Sequence, residues 1–267
     1  MMDRKSDDPL FSVRINSLIR KTERYECGVS RFLTPKEQII AREIIIKSGT
    51  SASAFFYGGY DGSERNRLFV LPMYMALDEY SKKALDEAEI DIVTESVQAV
   101  KIMGSGYIKL SHRDYLGSLL GLGIERDVVG DVAVLDGFSA VVFCDGKIAE
   151  FILSELKKVG NDTVRVSKTE VASDFCYEPQ SVTVSDTVAS ARLDCVVAAL
   201  SGLAREKAQH VLKSGSVALD YFTADECDAP VSEGSVISIR GVGKFKILSL
   251  SDTTKKGRLR LLAKKYI

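Results

Sequence analysis

The spacing of apolar and polar positions divides the chain into runs of helix and strand period, separated by glycine- and proline-marked breaks. Leu10 to Glu26 sets Phe11, Ile15, Leu18 and Ile19 at helical spacing. Thr34-Pro35-Lys36-Glu37 is a helix start, with Thr as N-cap, Pro at the first helical position and Glu three residues after the cap. That helix should run to about Lys47, where Ser48-Gly49 ends it. Ala54–Tyr57 and Leu68–Leu71 read as strands joined through Gly58-Gly59-Tyr60-Asp61-Gly62. A charged helix or loop over Met73–Ala88 leads to a strand candidate at Ile90–Val97.

Further on, Ser111 is placed to cap a helix in which Tyr115, Leu116, Leu119, Leu120 and Leu122 crowd one side, with Gly121 and Gly123 ending it. Val132–Leu135 and Ser139–Cys144 are strands about an Asp136-Gly137 turn. Ile148–Lys158 is an amphipathic helix and Thr163–Val166 a last strand. The resulting order, β-α-β-β-α-β, is the split arrangement of ferredoxin-like and RNA-recognition folds. RNA recognition on such a sheet uses exposed aromatics on the central strands. Phe143 is the one obvious candidate, and core packing accounts for it equally well. Ala172–Val184 has no helical period, holds Pro179, and reads as a linker or exchange strand.

The last third begins with two short amphipathic helices. In the second, Ala204, Ala208, Val211 and Leu212 form an apolar face, and Arg205, Gln209 and Lys213, four apart, form a polar stripe on another. Gly215 suits the left-handed residue that closes the helix. Val217–Leu219 and Val236–Ile239 are strand-length runs, with Ser232-Glu233-Gly234 as a turn before the second.

With 267 residues, the chain has room for about two or three small domains. Its 45% hydrophobic and 27% charged content is ordinary for a soluble globular protein. The start, MMDRKSDDPL, is polar, and the longest uncharged apolar stretch, Leu68–Leu77, is too short to span a bilayer, so a cytoplasmic protein with no membrane partner is expected. Cys27, Cys144, Cys176, Cys195 and Cys227 are scattered with no CxxC pair, which points to reduced thiols and no zinc site. Net charge is −1, but the average hides an asymmetry. From Arg192 onward there are 13 Lys+Arg against 8 Asp+Glu, and from Arg240 onward 9 against 1. A basic end on a mildly acidic scaffold suits contact with nucleic acid; a solvated charged tail is the bland alternative.

Catalytic motifs are sparse. His112-Arg113-Asp114 shares three letters with a kinase catalytic loop, but the glycine-rich loop, the later Asn and DFG are absent. Gly58–Gly62 is followed by no Gly-Lys-Ser/Thr, and in Gly241-Val242-Gly243-Lys244 the next residue is Phe245, so neither is a phosphate-binding loop of the nucleotide-hydrolase type. The second reads as a bend in a strand that leaves Lys244 free to meet phosphate. Glu64, Arg65 and Arg67 read either as a solvated, salt-bridged edge or as a docking surface.

The stretch RLDxxV…LAREKAxxxLKSGxVxLD…VxEGxxIxIRGxGKF, over roughly 55 residues from Arg192, resembles the S4-like RNA-binding domain. It departs from that pattern at Ala204, where the family often has Ser, and at Asp220, where it often has Asn, an acid where RNA would pass. FLTPKEQ (Phe32–Gln38), FYGGYDGSERNR (Phe56–Arg67) and LSHRDYLGSLLGLGIERDVVGD (Leu110–Asp131), followed by that module, together resemble the bacterial YlmH family across nearly the whole chain. The resemblance implies an α+β multidomain protein. Its parts would be an N-terminal α+β domain at 1–74, a ferredoxin-like (RNA-recognition-like) domain at 75–180 and an S4-like domain at 181–267 with a basic C-terminal strand. It also implies a non-enzymatic RNA binder, acting as a monomer without cofactor. The partners implied are ribosomal RNA of the large ribosomal subunit and, as an additional RNA, peptidyl-tRNA. The process implied is ribosome-associated quality control of stalled nascent chains. Expected contacts are Arg192, Arg205, Lys207, Gln209, Lys213, Arg240, Lys244 and Lys246, with no catalytic or metal-binding residue.

Two other readings stay open. Pseudouridine synthases use an Arg-Leu-Asp stretch for their catalytic Asp, and here Arg192-Leu193-Asp194 would make Asp194 the nucleophile of an RNA-modifying enzyme. Against it, Cys195 to Leu200 continue as helix, and an Asp in a first helical turn is explained by the helix dipole. The acidic first two-thirds would instead suit a protein-docking scaffold. For the RNA reading, Arg205→Glu is expected to abolish ribosome binding without unfolding the protein.

Overall fold

A computed structural model describes residues 9–75, 91–172, 174–253 and 257–267. The chain divides into two compact units, one ending at Tyr177 and the other running Glu178–Ile267. Both mix helices with antiparallel sheets, in keeping with a multidomain α+β protein.

The first unit opens with α1 (Pro9–Thr22), which buries Phe11, Ile15 and Ile19, and β1 (Gly28–Leu33). Next, α2 (Pro35–Ser48) starts at a capping box: the Thr34 side chain accepts from the Glu37 N–H, and Glu37 Oε2 accepts from the Thr34 N–H at 2.7 Å. Gly49, at φ 61°, closes α2 in the left-handed conformation. The strands β2 (Ser53–Tyr57) and β3 (Asn66–Leu71) complete a three-stranded sheet in the order β1-β3-β2. The sequence pattern missed β1, because its pairing with β3 slips between Val29 and Phe32 and the alternation is broken.

Met73–Met75 form one turn, and the rest of the expected charged helix or loop to Ala88 lies outside the described residues. The strand expected at Ile90–Val97 is instead a helix, α3 (Asp91–Ser96), with Ile90 itself outside the described residues. Val93 and Val97, four apart, share the core with Phe32 and Phe69, which is a helical spacing and not an alternation. The first strand of the middle sheet comes after it, as β4 (Gln98–Met103).

From there the expected order holds with shifted ends: α4 (His112–Gly121), β5 (Val129–Val134), β6 (Ser139–Cys144), α5 (Gly146–Glu155), the small hairpin β7 (Lys158–Val159) and β8 (Asp162–Thr163), and β9 (Arg165–Thr169). A second capping box, Ser111 with Asp114, starts α4. The four long strands stand in the order β5-β6-β4-β9, all neighbours antiparallel, which is the split βαβ arrangement. One face packs Val100, Ile102, Val132, Ala140 and Val142 against Tyr115 and Leu119 of α4 and Ala149 and Ile152 of α5.

The second unit begins with β10 (Ser181–Val188), so the end of the expected linker is a strand. The helices α6 (Leu193–Ser201) and α7 (Arg205–Lys213) follow, then β11 (Val217–Leu219), β12 (Phe222–Thr223), β13 (Val236–Ile239), β14 (Gly243–Thr253) and β15 (Leu259–Tyr266). They make one six-stranded sheet in the order β10-β15-β14-β13-β11-β12. Asp220 and Tyr221, both at positive φ (47° and 73°), turn β11 into β12 as a tight hairpin of the primed type. Leu193, Val196, Val197 and Leu200 of α6 and Ala208 and Leu212 of α7 pack on Ile237, Ile239, Phe245, Ile247, Leu261 and Ala263. The helices therefore cover one side of this sheet, and the alternate residues of β13–β15 face the other way.

Candidate nucleic-acid interface

The second unit gathers Arg192, Arg205 and Gln209 around one buried acid. Asp194, in the first turn of α6, is fully buried. Arg205, at the start of α7, donates from Nε and Nη2 to Asp194 Oδ2 at 2.9 and 2.8 Å. Gln209, one turn on, donates to the same oxygen at 2.9 Å. Arg192, at the cap of α6, donates to Oδ1 at 3.3 Å. Burial pushes the Asp194 carboxyl up, but the hydrogen bonds from Gln209, Arg205 and Arg192 pull it down further, to about 2. Asp194 therefore links the two helices as an anion.

Three of the expected RNA contacts are thus committed to an internal partner. Arg205 keeps about half of its side chain exposed, so it reaches solvent from this latch. Its reversal to Glu would face the buried Asp194 carboxylate with a second one, and the expected fold-neutral charge swap is corrected on that ground. The helix dipole does not account for Asp194 by itself. A carboxylate with no exposed surface and three donors on it is also poorly placed to attack a base.

Lys207, Lys213 and Arg240 stand exposed. Arg240 follows β13, and its N–H bonds to Ser216 O, just past the end of α7, so the Arg240 turn lies beside the α7 C-terminus that bears Lys213. Lys207, two residues from Arg205, projects from another side of α7. Ala204 supplies no side-chain cap, whereas Asp220 accepts from the Val236 N–H at 2.8 Å and so serves the hairpin.

Lys244 and Lys246 lie apart from this group, on the side of the sheet opposite the helices. They alternate with the buried Phe245 and Ile247. Lys244 is not the free cation the sequence suggests: its ammonium sits 5.4 Å from the Tyr221 ring centroid and 5.5 Å from that of Tyr266. Lys246 is exposed and pairs in register with Lys264, which is ion-paired with Glu178.

The middle sheet presents no stacking platform at Phe143. That side chain is 1% exposed and packs against Tyr60 (centroids 4.9 Å apart) and Phe175 (6.1 Å), with Val141, Ala133 and Tyr177 in the same cluster. Tyr60 is held there by its hydroxyl, which donates to Asp131 Oδ2 at 2.8 Å. Asp131 also accepts from the N–H groups of Glu64 (2.6 Å) and Arg65 (3.0 Å). Two of the phrases that carry the family resemblance, FYGGYDGSERNR and LSHRDYLGSLLGLGIERDVVGD, thus meet at Asp131. Arg65 bonds to Phe32 O and Val129 O. Arg67, buried, bonds to Ser30 O at 2.6 Å, Ser96 O at 2.7 Å and Asp145 Oδ2 at 2.6 Å. Neither arginine is a solvated edge or a docking residue; both join the two sheets of the first unit. Among the described residues, no group of three or more His, Cys, Asp or Glu could hold a metal ion, and no helix is long and apolar enough to cross a membrane.

Comparison with known proteins agrees with the likeness read from the sequence. Residues 96–173, which contain the middle sheet, match the family described as the putative RNA-binding domain in YlmH. The ribosome-associated protein quality control protein P2 of Bacillus subtilis (strain 168) is 28% identical over 240 residues, covering 90% of this chain and 87% of that protein. Among solved structures, the cell division protein ylmH from Streptococcus pneumoniae aligns at a TM-score of 0.48 and 20% identity, over 62% of this chain and 92% of that one.

Proposed function

Starting from this likeness to the YlmH family, we propose that the chain binds structured ribosomal RNA on the large ribosomal subunit and acts, without catalysing a reaction, in ribosome-associated quality control of stalled nascent chains. Peptidyl-tRNA is the additional RNA partner. The observation that carries the reading is the exposed set Lys207, Lys213 and Arg240, borne on and beside a helix fixed in place through Asp194. Cations on a rigid helix meet phosphates at little ordering cost, and each phosphate neutralised releases counterions. The name of the B. subtilis relative, which couples ribosome association with quality control, supports the setting. Burial of the Asp194 carboxylate weighs against the RNA-modification reading.

The test is co-sedimentation of the full chain with isolated large subunits, for the unaltered protein and for a triple variant K207E/K213E/R240E. Loss of binding in the variant at unchanged thermal stability supports the reading, and binding unaffected by the three reversals overturns it. Binding that survives complete nuclease digestion of the RNA would replace it with protein docking.

A further inference from the structure

The outward side of the second unit's sheet carries a pattern that the helix-borne surface does not absorb. Along β15 the outward residues are Arg260, Leu262, Lys264 and Tyr266, which alternate with the buried Leu261 and Ala263. Lys246 stands beside Lys264 in register, and Arg260 pairs in register with Ser251 on one neighbour and Thr187 on the other. At one end, the Lys244 ammonium lies between the rings of Tyr221 and Tyr266. The sequence of surface along one strand is therefore cation, apolar, cation, aromatic, over roughly 20 Å at the rise of an extended strand.

We propose that this sheet face is a second RNA-binding surface, separate from the α6–α7 side, which takes an unpaired RNA strand. Lys246 and Arg260 meet the phosphates, and Tyr266 with Leu262 offers flat and apolar surface to bases. Charge favours this occupant: four cations, Lys244, Lys246, Arg260 and Lys264, share the face, where Glu178 is ion-paired with Lys264 and also feels the charge of Lys246. The aromatic rings favour a single strand over a duplex, because stacking needs bases that are splayed out. Lys244 between the two tyrosines fixes their rings before any ligand arrives, so less freedom is lost on binding. The proposal rests on the RNA-binding reading above but concerns a different side of the unit. The two sides are separated by the sheet itself, whose core-facing residues are Ile237, Phe245, Ile247, Leu261 and Ala263.

The experiment measures fluorescence anisotropy of a labelled oligouridine strand and of a labelled RNA hairpin, each with the full chain. Lys246→Glu with Arg260→Glu should weaken the single strand about tenfold, make its salt dependence shallower, and change hairpin binding by less than about twofold. The neutral pair, Lys246→Gln with Arg260→Gln, should give a smaller loss in the same direction. Tyr266→Ala should weaken the strand severalfold while Tyr266→Phe keeps it, since the phenyl ring still stacks. Unchanged strand affinity in both charge variants, with melting temperatures intact, overturns the proposal. In the companion arm, K207E/K213E/R240E tests the helix side, so loss of hairpin binding there with strand binding untouched by the sheet variants would leave the proposed function standing and remove the second surface alone.

Discussion

Arg205 and Asp194, 11 residues apart in sequence, are joined by two hydrogen bonds to a single carboxylate oxygen, one partner half exposed and the other sealed. The arginine that sequence alone marks as an RNA contact is therefore also a structural tie. Substituting it reports on both roles at once. Arg205→Glu should lower the melting temperature of the protein, and Lys213→Glu, two turns along the same helix and exposed, should not. A differential melting curve of the two variants separates them, and equal melting temperatures would remove the latch from the account.

The same latch has a pH signature. The folded-state value of Asp194, about 2, lies below the roughly 3.9 of an unfolded Asp. Its contribution is therefore complete above about pH 4 and disappears as pH falls through the folded value. Asp194→Asn, which keeps the shape and removes the anion, should lower stability at pH 7 by about 2 kcal/mol, the order of one buried charged hydrogen-bond set. The deficit should shrink as the buffer is taken toward pH 2.5. Denaturant midpoints for the two proteins across that range check the sign. Asn at this position should also leave the modification pattern of ribosomal RNA unchanged in cells.

Arg67 ties β3 to Ser30, Ser96 and Asp145 with 10% of its side chain exposed. Arg67→Ala should cost about 3 kcal/mol, since Asp145 and two carbonyl oxygens lose their donor together. Arg67→Lys should recover only part of this, because an ammonium cannot reproduce the planar fork. Urea unfolding of the full chain measures both.

Gly59 sits at φ 107°, where a Cβ would come within 2.1 Å of the Phe143 ring. Gly59→Ala should destabilise by about 3 kcal/mol through crowding and backbone strain together. Phe143→Ala should cost a similar amount through the cavity left behind. Neither should alter RNA affinity at a temperature where the variant is folded, which distinguishes a packed ring from a stacking one.

For the helix-borne surface, three phosphate contacts imply that RNA affinity falls about 40-fold between roughly 50 and 200 mM salt, and that the triple charge reversal flattens this slope. Titrations at several salt concentrations read it directly. A slope that stays steep after the reversal would place the cations elsewhere.

What the sequence made legible was local. The capping box of Thr34 with Glu37 and the Ser111 cap are settled within a few residues, by residue type, although the returning bond from Ser111 to Asp114 was seen only in the structure. The split βαβ order was readable because α4 and α5 have clean apolar stripes and Asp136-Gly137 marks a turn. Misreadings arose where distant partners decide the outcome. Val93 and Val97 form a helical face only because Phe32 and Phe69 stand opposite them. Arg65 and Arg67 looked like surface because their carbonyl and carboxylate partners lie about 30 to 80 residues away. Seven of the eight candidate RNA residues are cations, and the sequence could not sort those that face solvent, such as Lys207, from those that hold Asp194.

The aromatic cover on the middle sheet also sets an order of events during synthesis. Tyr60 is made before the sheet's strands, whereas Phe175 and Tyr177 follow the last of them, β9. A nascent chain that has emerged only as far as Thr169 holds all four strands but lacks the part of their lid that Phe175 and Tyr177 supply. Such an intermediate would present Val141 and Phe143 to whatever is nearby, so truncation just after β9 should give a sticky, chaperone-dependent fragment where the complete polypeptide is well behaved.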